Sequence, residues 1–139
     1  MSQENVEVVR EMWAAYARGD FEASLGAYAE DAVWDDTNYR PDGAVHVGLE
    51  ALVDLVRTWR EAWEWETYKV EVEQLHETAD GRVAVVLCET GRGRGGGVEL
   101  TNRWGLVGTV HGGRITHTMV YREPEDALAA AAPREQQWS

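Results

Sequence analysis

A stretch in the second half of the chain decides the fold: residues 82–121, which read RVAVVLCETGRGRGGGVELTNRWGLVGTVHGGRITHTMVY. It contains three β-rich runs, 82–92, 98–110 and 114–121, separated by a glycine-rich stretch and a His-Gly-Gly turn. Alternating apolar and polar residues are typical of strands, and tight glycine turns join antiparallel neighbours. Together with the preceding run 68–78, these segments predict an antiparallel meander.

The first half of the chain has helical periodicity instead. Apolar residues recur every three to four positions over 4–17, 20–29 and 49–64, which predicts three amphipathic helices. Gly19 can end the first helix in the left-handed conformation, and Asp20 can cap the second. The first two helices are therefore expected to form a tight pair.

Three shorter segments complete the sequence-based assignment. Residues 32–36 read as a short strand, and 37–47 as an irregular stretch with turn residues. Pro124 can open a short closing helix, which Pro133 ends. Because the helices come first and the strands follow, the sequence predicts an α+β fold, in which a curved antiparallel sheet wraps around the N-terminal helices.

The length and composition indicate one globular domain. The chain has 139 residues, of which 44% are apolar and 27% charged, as is usual for soluble domains. We expect a single domain over residues 1–132, followed by a frayed tail at 133–139. A chain of this size buries enough surface for a core and an internal pocket.

The charge balance excludes some classes of partner. The formal net charge is −12, from 25 acidic against 13 basic residues. Binding to nucleic acid or to an anionic membrane depends on Lys and Arg that neutralise phosphates, so neither is expected. The beginning of the chain lacks a signal-peptide pattern, and no apolar run approaches a membrane span. These observations predict a soluble, cytoplasmic protein.

No residue pattern points to a metal or a cofactor. The four histidines, at 46, 76, 111 and 117, lack the spacings that bring metal ligands together. Cys88 is the single cysteine and cannot form an intramolecular disulfide. We therefore expect any activity to be independent of cofactors.

Several local strings resemble the SnoaL-like polyketide cyclase family, within the nuclear-transport-factor-two-like superfamily of cone-shaped α+β barrels. They are GDFE at 19–22, YAEDAVWDD at 28–36, HVGLEAL at 46–52, RGRG at 92–95 and GGRI at 112–115. The likeness spans residues 4–131 and implies the cone fold. It implies no single function, because the superfamily includes isomerases, cyclases, dehydratases, epoxide hydrolases and non-catalytic binders.

Asp36 is the first candidate for a catalytic residue. It shares a strand face with Trp34, and its position is similar to the one where ketosteroid isomerases of the superfamily carry their base carboxylate. On the floor of an apolar cone, desolvation favours the neutral form of a carboxyl group, which suits proton transfer near neutral pH. In the alternative interpretation, Asp36 caps the turn before Pro41 or faces water beside Asp35.

Tyr16 is the second candidate, as a proton donor on the pocket side of the first helix. A phenol there can polarise a carbonyl oxygen of a substrate. The resemblance places the isomerase phenol one turn earlier, at Met12, which is a departure from the family pattern. A core aromatic residue with a satisfied hydroxyl is the alternative interpretation of Tyr16.

The resemblance also places the strand aspartate of polyketide cyclases on Leu106, which cannot exchange a proton. Asn102 and Trp104 share the face of Leu106 and are candidates for orienting and stacking on a ligand. Trp34, Trp59, Trp63 and Trp104 come from different elements and should converge on one cavity, which they either fill or line. The predicted ligand contacts are Met12, Trp34, Trp59, Asn102, Trp104, Leu106 and Thr118, and the predicted ligand is a small apolar or aromatic molecule.

Two arguments disagree about the last strand. The family register directs Thr116, Thr118 and Val120 inward, whereas hydrophobicity alone would choose the opposite face, with Ile115, His117, Met119 and Tyr121. A slip of one residue exchanges the two faces, and we follow the register. The second set then forms an apolar patch on the convex side, which predicts a homodimer.

The sequence thus supports two functions. In the first, the protein is a cofactor-independent acid/base enzyme of isomerase, cyclase, dehydratase or hydrolase type that acts on an apolar cyclic substrate. In the second, it is a non-catalytic ligand-binding or dimerisation module on the same fold. The residue that separates them is Asp36, through its protonation behaviour.

Overall fold

The computed structural model describes residues 2–131. The α-helices in this range are α1 Ser2–Ala17, α2 Phe21–Leu25, α3 Leu49–Glu61 and α4 Pro124–Ala131, with a 3-10 turn at Trp65–Thr67. The strands are β1 Tyr28–Asn38, β2 Val45–Val47, β3 Lys69–Glu77, β4 Arg82–Arg92, β5 Glu99–His111 and β6 Arg114–Tyr121. The tail at 133–139 lies outside the described residues. No helix within 2–131 is long and apolar enough to cross a membrane.

The six strands form one sheet in the order β2-β1-β6-β5-β4-β3. Strands β3 to β6 pair with their sequence neighbours in antiparallel fashion, so the predicted meander is confirmed. Strand β1 pairs in parallel with β6, at the far end of the chain, and antiparallel with β2. The sheet is therefore mainly antiparallel, and its curved, unclosed form around the helices confirms the predicted α+β fold.

The concave face of the sheet holds the main core. Helix α1 buries a stripe at helical spacing, with Val9, Met12, Trp13 and Tyr16 all at most 6% exposed. It packs against the alternate residues of β4 that point the same way, Val83, Val85 and Leu87, each 0% exposed. The buried stripe of α1, with helical spacing, and the inward residues of β4, with a spacing of two, thus pack together in one apolar core.

Helix α4 covers part of the convex face. Its Ala127 and Ala131 form a second apolar cluster with Ala84 and Val107 of the sheet. The approach is close because β5 has a glycine there: a Cβ built on Gly105 would lie 2.7 Å from the Cβ of Ala127. The small residues on both sides therefore set the distance between helix and sheet.

This contact predicts opposite effects for two glycines of β5. Gly105→Ala should destabilise the protein by about 1–3 kcal/mol, the usual cost of overpacking. Gly108→Ala is the matched control, because its Cβ would meet nothing closer than 3.9 Å and would reduce the entropy of the unfolded chain. Urea unfolding measures both, and equal stabilities would contradict the described packing of α4.

Several boundaries differ from the sequence prediction. Helix α2 ends at Leu25 and not at 29, and β1 already begins at Tyr28. Strand β2 was not predicted: the turn before it reverses the chain and lets 45–47 pair with β1. Helix α3 ends at Glu61 instead of 64, since Trp63 leaves the helix to bridge to the β4–β5 connection.

Each of the two sequence arguments about the last strand, β6, is correct for part of it. Thr118 and Val120 are 2% exposed, and Thr118 pairs with Trp34 on the inner side, as the family register predicts. The outward prediction for Ile115 is wrong: it is 2% exposed and lies in the inner core. The pairing shifts between Thr109 and Val110, so Thr116 is an extra residue that moves Ile115 to the other face.

Candidate functional site

The concave side contains a cavity of about 80 Å³ between the helices and the sheet. Pockets for drug-sized ligands usually measure roughly 300–1,000 Å³, so the space as described suits a small molecule. Six of the predicted site residues line it: Met12, Tyr16, Trp34, Asp36, Trp59 and Trp104. The structure therefore brings most of the predicted site together.

The other three predicted residues lie behind the lining. Asn102 donates hydrogen bonds from its amide to the Tyr39 hydroxyl at 2.8 Å and to Glu89 at 3.1 Å. Leu106 and Thr118 are each 2% exposed and belong to the packed wall of the sheet. They support the cavity without forming its surface.

Trp104 is the centre of the aromatic lining. Its ring centroid lies 5.8 Å from that of Tyr39, 6.4 Å from Trp59 and 6.5 Å from Trp34. The rings meet edge-on or tilted, which is a favourable arrangement for aromatic pairs. Trp63, which was expected to join them, packs against Tyr68 instead, with centroids 5.1 Å apart.

Asp36 is a buried carboxylate at one side of this cavity. It is 4% exposed, and its Oδ1 accepts a hydrogen bond of 2.7 Å from the backbone N–H of Ala44. Its Oδ2 lies 3.4 Å from Nη2 of Arg40 and 3.3 Å from Nε2 of His46. Asp36 thus faces the cavity and also holds the following turn, which combines both interpretations made from the sequence.

Two basic residues that the sequence did not indicate lie beside Asp36, namely Arg40 and His46. The turn after β1 folds back closely enough that a Cβ on Gly43 would lie 2.1 Å from the carbonyl oxygen of Asp36. Arg40 lies within this turn, and β2 then places His46 opposite Trp34. The irregular appearance of this segment in the sequence concealed both partners.

Glu89 is the main residue that the sequence analysis missed. It is 0% exposed and lines the same cavity. Its Oε1 accepts hydrogen bonds from Asn102 and, at 2.8 Å, from Nε1 of Trp104; its Oε2 accepts one of 2.6 Å from Nε1 of Trp59 and one from the Tyr68 hydroxyl. The signal was present in the sequence, because strand alternation places Glu89 on the face of the inward apolar residues of β4.

Burial raises the pKa of Glu89, while its four hydrogen bonds act in the opposite direction. All four partners are neutral, and no cation is among them. An acid whose pKa is raised by folding contributes stability below its ordinary pKa and loses that contribution as the pH rises through the raised value.

We therefore expect a specific pH dependence for Glu89→Gln. The wild type should lose stability relative to the variant as the pH rises above 4.5, the ordinary pKa of the group, and the difference should become constant above the raised pKa. Urea unfolding of both proteins over a pH series measures this, because the contributions of the other groups cancel. Parallel pH curves would show that burial does not perturb this carboxyl group.

The cavity also contains protonated phenols. Burial raises the pKa of Tyr16 and of Tyr68, so both hydroxyls remain protonated at neutral pH. Their oxygens lie 3.5 Å apart, which connects Tyr16 to the Glu89 network. Met12 lies near the hydroxyl of Tyr28, whose oxygen is 3.8 Å from its sulfur.

One donor at the cavity has no partner. Nε1 of Trp13 is the single buried side-chain nitrogen or oxygen among the described residues without a hydrogen bond, and Trp13 lines the cavity. A buried N–H without an acceptor costs about 1–3 kcal/mol. A ligand oxygen in the cavity could serve as its acceptor.

The described residues offer no obvious metal site. No group of three His, Cys, Asp or Glu side chains between residues 2 and 131 is arranged to hold an ion. The polar groups that line the cavity are carboxyl, phenol, indole, hydroxyl and guanidinium groups.

The model of the SnoaL-like domain family matches residues 9–118 of the chain. No curated protein matches this chain significantly.

Solved structures share the fold over most of their length. An NTF2-like protein from Burkholderia xenovorans LB400 is 30% identical, with a TM-score of 0.67, and the match covers 94% of this chain and 97% of that one. Bal32a, from a soil-derived mobile gene cassette, is 23% identical, with a TM-score of 0.76 and coverage of 94% and 95%. A candidate polyketide cyclase from Xanthomonas campestris pv. campestris is 21% identical, with a TM-score of 0.66 and coverage of 91% and 96%.

Proposed function

The chain belongs to the SnoaL-like domain family, and from this premise we propose that it binds a small, mainly apolar cyclic molecule and transfers a proton on it without a cofactor. The observation that carries the proposal is Asp36, a carboxylate that is 4% exposed and lines a mainly apolar cavity. A positioned carboxylate in such surroundings is suited to general acid–base catalysis. The sequence-based expectation of a cytoplasmic protein is part of this proposal.

The neighbours of Asp36 suggest how the proton travels. Oδ2 of Asp36 receives the proton from the substrate, and the Nε2 of His46, 3.3 Å away, links it to the exterior. The side chain of His46 is 25% exposed, so it reaches both the buried carboxylate and water. Arg40 and the N–H of Ala44 hold the carboxylate in place during the exchange.

Two donors are available for a substrate oxygen. The unpartnered N–H of Trp13 and the protonated hydroxyl of Tyr16 belong to residues of α1 that line the cavity. Hydrogen bonds to an oxygen that gains negative charge stabilise the transition state of proton abstraction beside a carbonyl. The substrate class that fits is therefore a cyclic molecule with a carbonyl or hydroxyl oxygen.

A non-catalytic binding module is the second candidate, and two observations favour it. Leu106 stands where the family resemblance places an aspartate. In addition, each oxygen of Glu89 already accepts two hydrogen bonds from the protein, so this second carboxylate is fully occupied. In this alternative, the cavity holds its ligand without changing it.

Deuterium exchange tests the proposal. Small cyclic ketones that raise the melting temperature of the protein are incubated with it in D₂O, and NMR follows deuterium incorporation beside the carbonyl. We expect exchange well above the rate in buffer, because proton transfer precedes any later step. A ligand that binds and shows only the buffer rate would favour the binding module.

We also propose that the protein is a homodimer joined at the convex face, with a changed set of residues. Ile115 lies inside, and Tyr121 packs against the cluster under α4. The exposed apolar residues on this side belong to β2: Val45 is 54% and Val47 is 61% exposed. They lie close to Met119 of β6, because β1 pairs with β2 on one side and with β6 on the other.

Light scattering tests the dimer. The wild type should have a dimer mass at micromolar concentration, and Val47→Glu should convert it to a monomer because a charge in an apolar interface is poorly solvated. Val98→Glu is the control, since Val98 is equally exposed at 61% but precedes β5 near the hairpin tip. A monomeric wild type would refute the proposal.

A further inference from the structure

Glu89 presents an electrostatic problem that the proposed proton transfer does not solve. Its carboxylate is 0% exposed, and its four partners are the neutral groups of Trp59, Tyr68, Asn102 and Trp104. Hydrogen bonds spread the negative charge but do not cancel it, and buried charges in proteins are normally paired with an opposite charge. The cavity next to Glu89 is therefore a site of negative potential.

The basic side chain that lines this cavity, Arg40, already forms an ion pair with Asp36. Among the described lining residues, Arg40 is the basic one, and its Nη2 lies 3.4 Å from Asp36. Its side chain is 42% exposed, at the solvent side of the cavity. The counter-charge for Glu89 is thus not supplied by a side chain that hydrogen-bonds to it.

The walls beside Glu89 are suited to a positive charge. Trp59 and Trp104 donate their indole N–H groups to the carboxylate, and both also line the cavity with Trp34 and Tyr39. A cation within about 6 Å of an aromatic ring is attracted to its face. Because hydrogen bonds polarise one another in a low dielectric, an N–H bonded to an anion makes its ring more electron-rich.

The occupied oxygens of Glu89 decide which kind of cation fits. A metal ion or a primary ammonium needs free lone pairs, and each oxygen of Glu89 already accepts two bonds. A nitrogen that carries methyl groups needs few acceptors or none; it is attracted by the charge at a distance and by ring faces. It also suits a cavity of about 80 Å³.

We infer that the ligand of this cavity is a small tertiary or quaternary ammonium compound, whose alkylated nitrogen lies against the rings of Trp59, Trp104 and Tyr39 beside Glu89. This inference rests on the proposed function for the location of the ligand and adds its charge. The same molecule can present an oxygen to the donors on α1. The site beside Glu89 binds the ammonium group of the ligand, and Asp36 transfers a proton on the rest of the molecule.

Calorimetric titration at constant ionic strength tests this inference, with choline chloride and 3,3-dimethylbutan-1-ol as a matched pair. The two compounds have the same shape, and only choline is charged. We expect choline to bind at least about tenfold more tightly, as cation–aromatic attraction and a buried counter-charge predict. Equal affinity, tighter binding of the neutral compound, or no binding of either would overturn the inference.

Variants locate the binding site on the protein. Tyr39→Leu should weaken choline binding and Tyr39→Phe should retain most of it, because phenylalanine keeps the ring face. Glu89→Gln should weaken binding about tenfold or more, and Glu71→Gln, at an exposed position, should not. Choline binding that is unchanged in Tyr39→Leu and in a folded Glu89→Gln would also overturn the inference.

The two proposals can fail separately. A neutral cyclic ketone that binds and exchanges deuterium, while choline does not bind, would reject the ammonium inference and retain the proposed function. Choline that binds at this site, with no exchange of any bound ligand, would support the inference and reject acid–base catalysis.

Discussion

Glu89→Leu is expected to destabilise the protein by about 3 kcal/mol or more, because the substitution leaves buried hydrogen-bond donors without their acceptor. The substitution introduces an apolar side chain of similar size and removes the acceptor of four donors, on Trp59, Tyr68, Asn102 and Trp104. Each buried donor without a partner costs about 1–3 kcal/mol. Urea unfolding measures the loss.

Glu71→Leu is the matched control for this prediction. Glu71 lies on the neighbouring strand β3 and is exposed, so its replacement should change the stability by no more than about 0.5 kcal/mol. If Glu89→Leu were as stable as the control, the described network would contribute nothing to folding. The aromatic lining would then owe its arrangement to packing alone.

Asp36→Asn is expected to lower the rate of deuterium exchange by about 10²–10⁴-fold, the usual contribution of a general base. The amide has the same size as the carboxylate and can still accept the hydrogen bond from Ala44, so the turn should remain. It cannot take up a proton from the substrate. The rate is measured by NMR at saturating ligand, so that a change in affinity does not affect it.

Asp35→Asn provides the control from the adjacent position. The side chain of Asp35 bonds to Thr37 on the other side of the strand, and a strand alternates its faces. Exchange should therefore stay close to that of the wild type. A normal rate in Asp36→Asn would remove the catalytic role of this residue and leave the binding module as the better account.

Strand periodicity and resemblance predicted the sheet and the helices that cover it, because both patterns depend on local apolar spacing. The structure shows that alternation in β4 turns Val83, Val85 and Leu87 inward, and the same rule places Glu89 there. A charged residue at the end of an apolar run is usually solvent-exposed. Only the three-dimensional structure shows the donors, which come from α3, from β5 and from Tyr68 just before β3.

The parts that could not be predicted depend on contacts between distant segments. Ile115 changed faces because of one extra residue in β6, and a bulge has no reliable local signal at that point. Arg40 and His46 reached Asp36 through a hairpin that appears irregular in the sequence. Trp63 does not join the predicted tryptophan group because helix α3 ends at Glu61, two residues before it.

The parallel pairing of β1 with β6 makes the site a late product of protein synthesis. Strand β1 joins the long strands of the sheet only through β6, so both carboxyl groups are synthesised before the strand that connects them. Contacts between such distant segments slow folding, and until β6 arrives the edges of β1 and β5 are unpaired and prone to aggregation. A nascent chain that stops before residue 114 would contain Asp36 and Glu89 but no cavity around them.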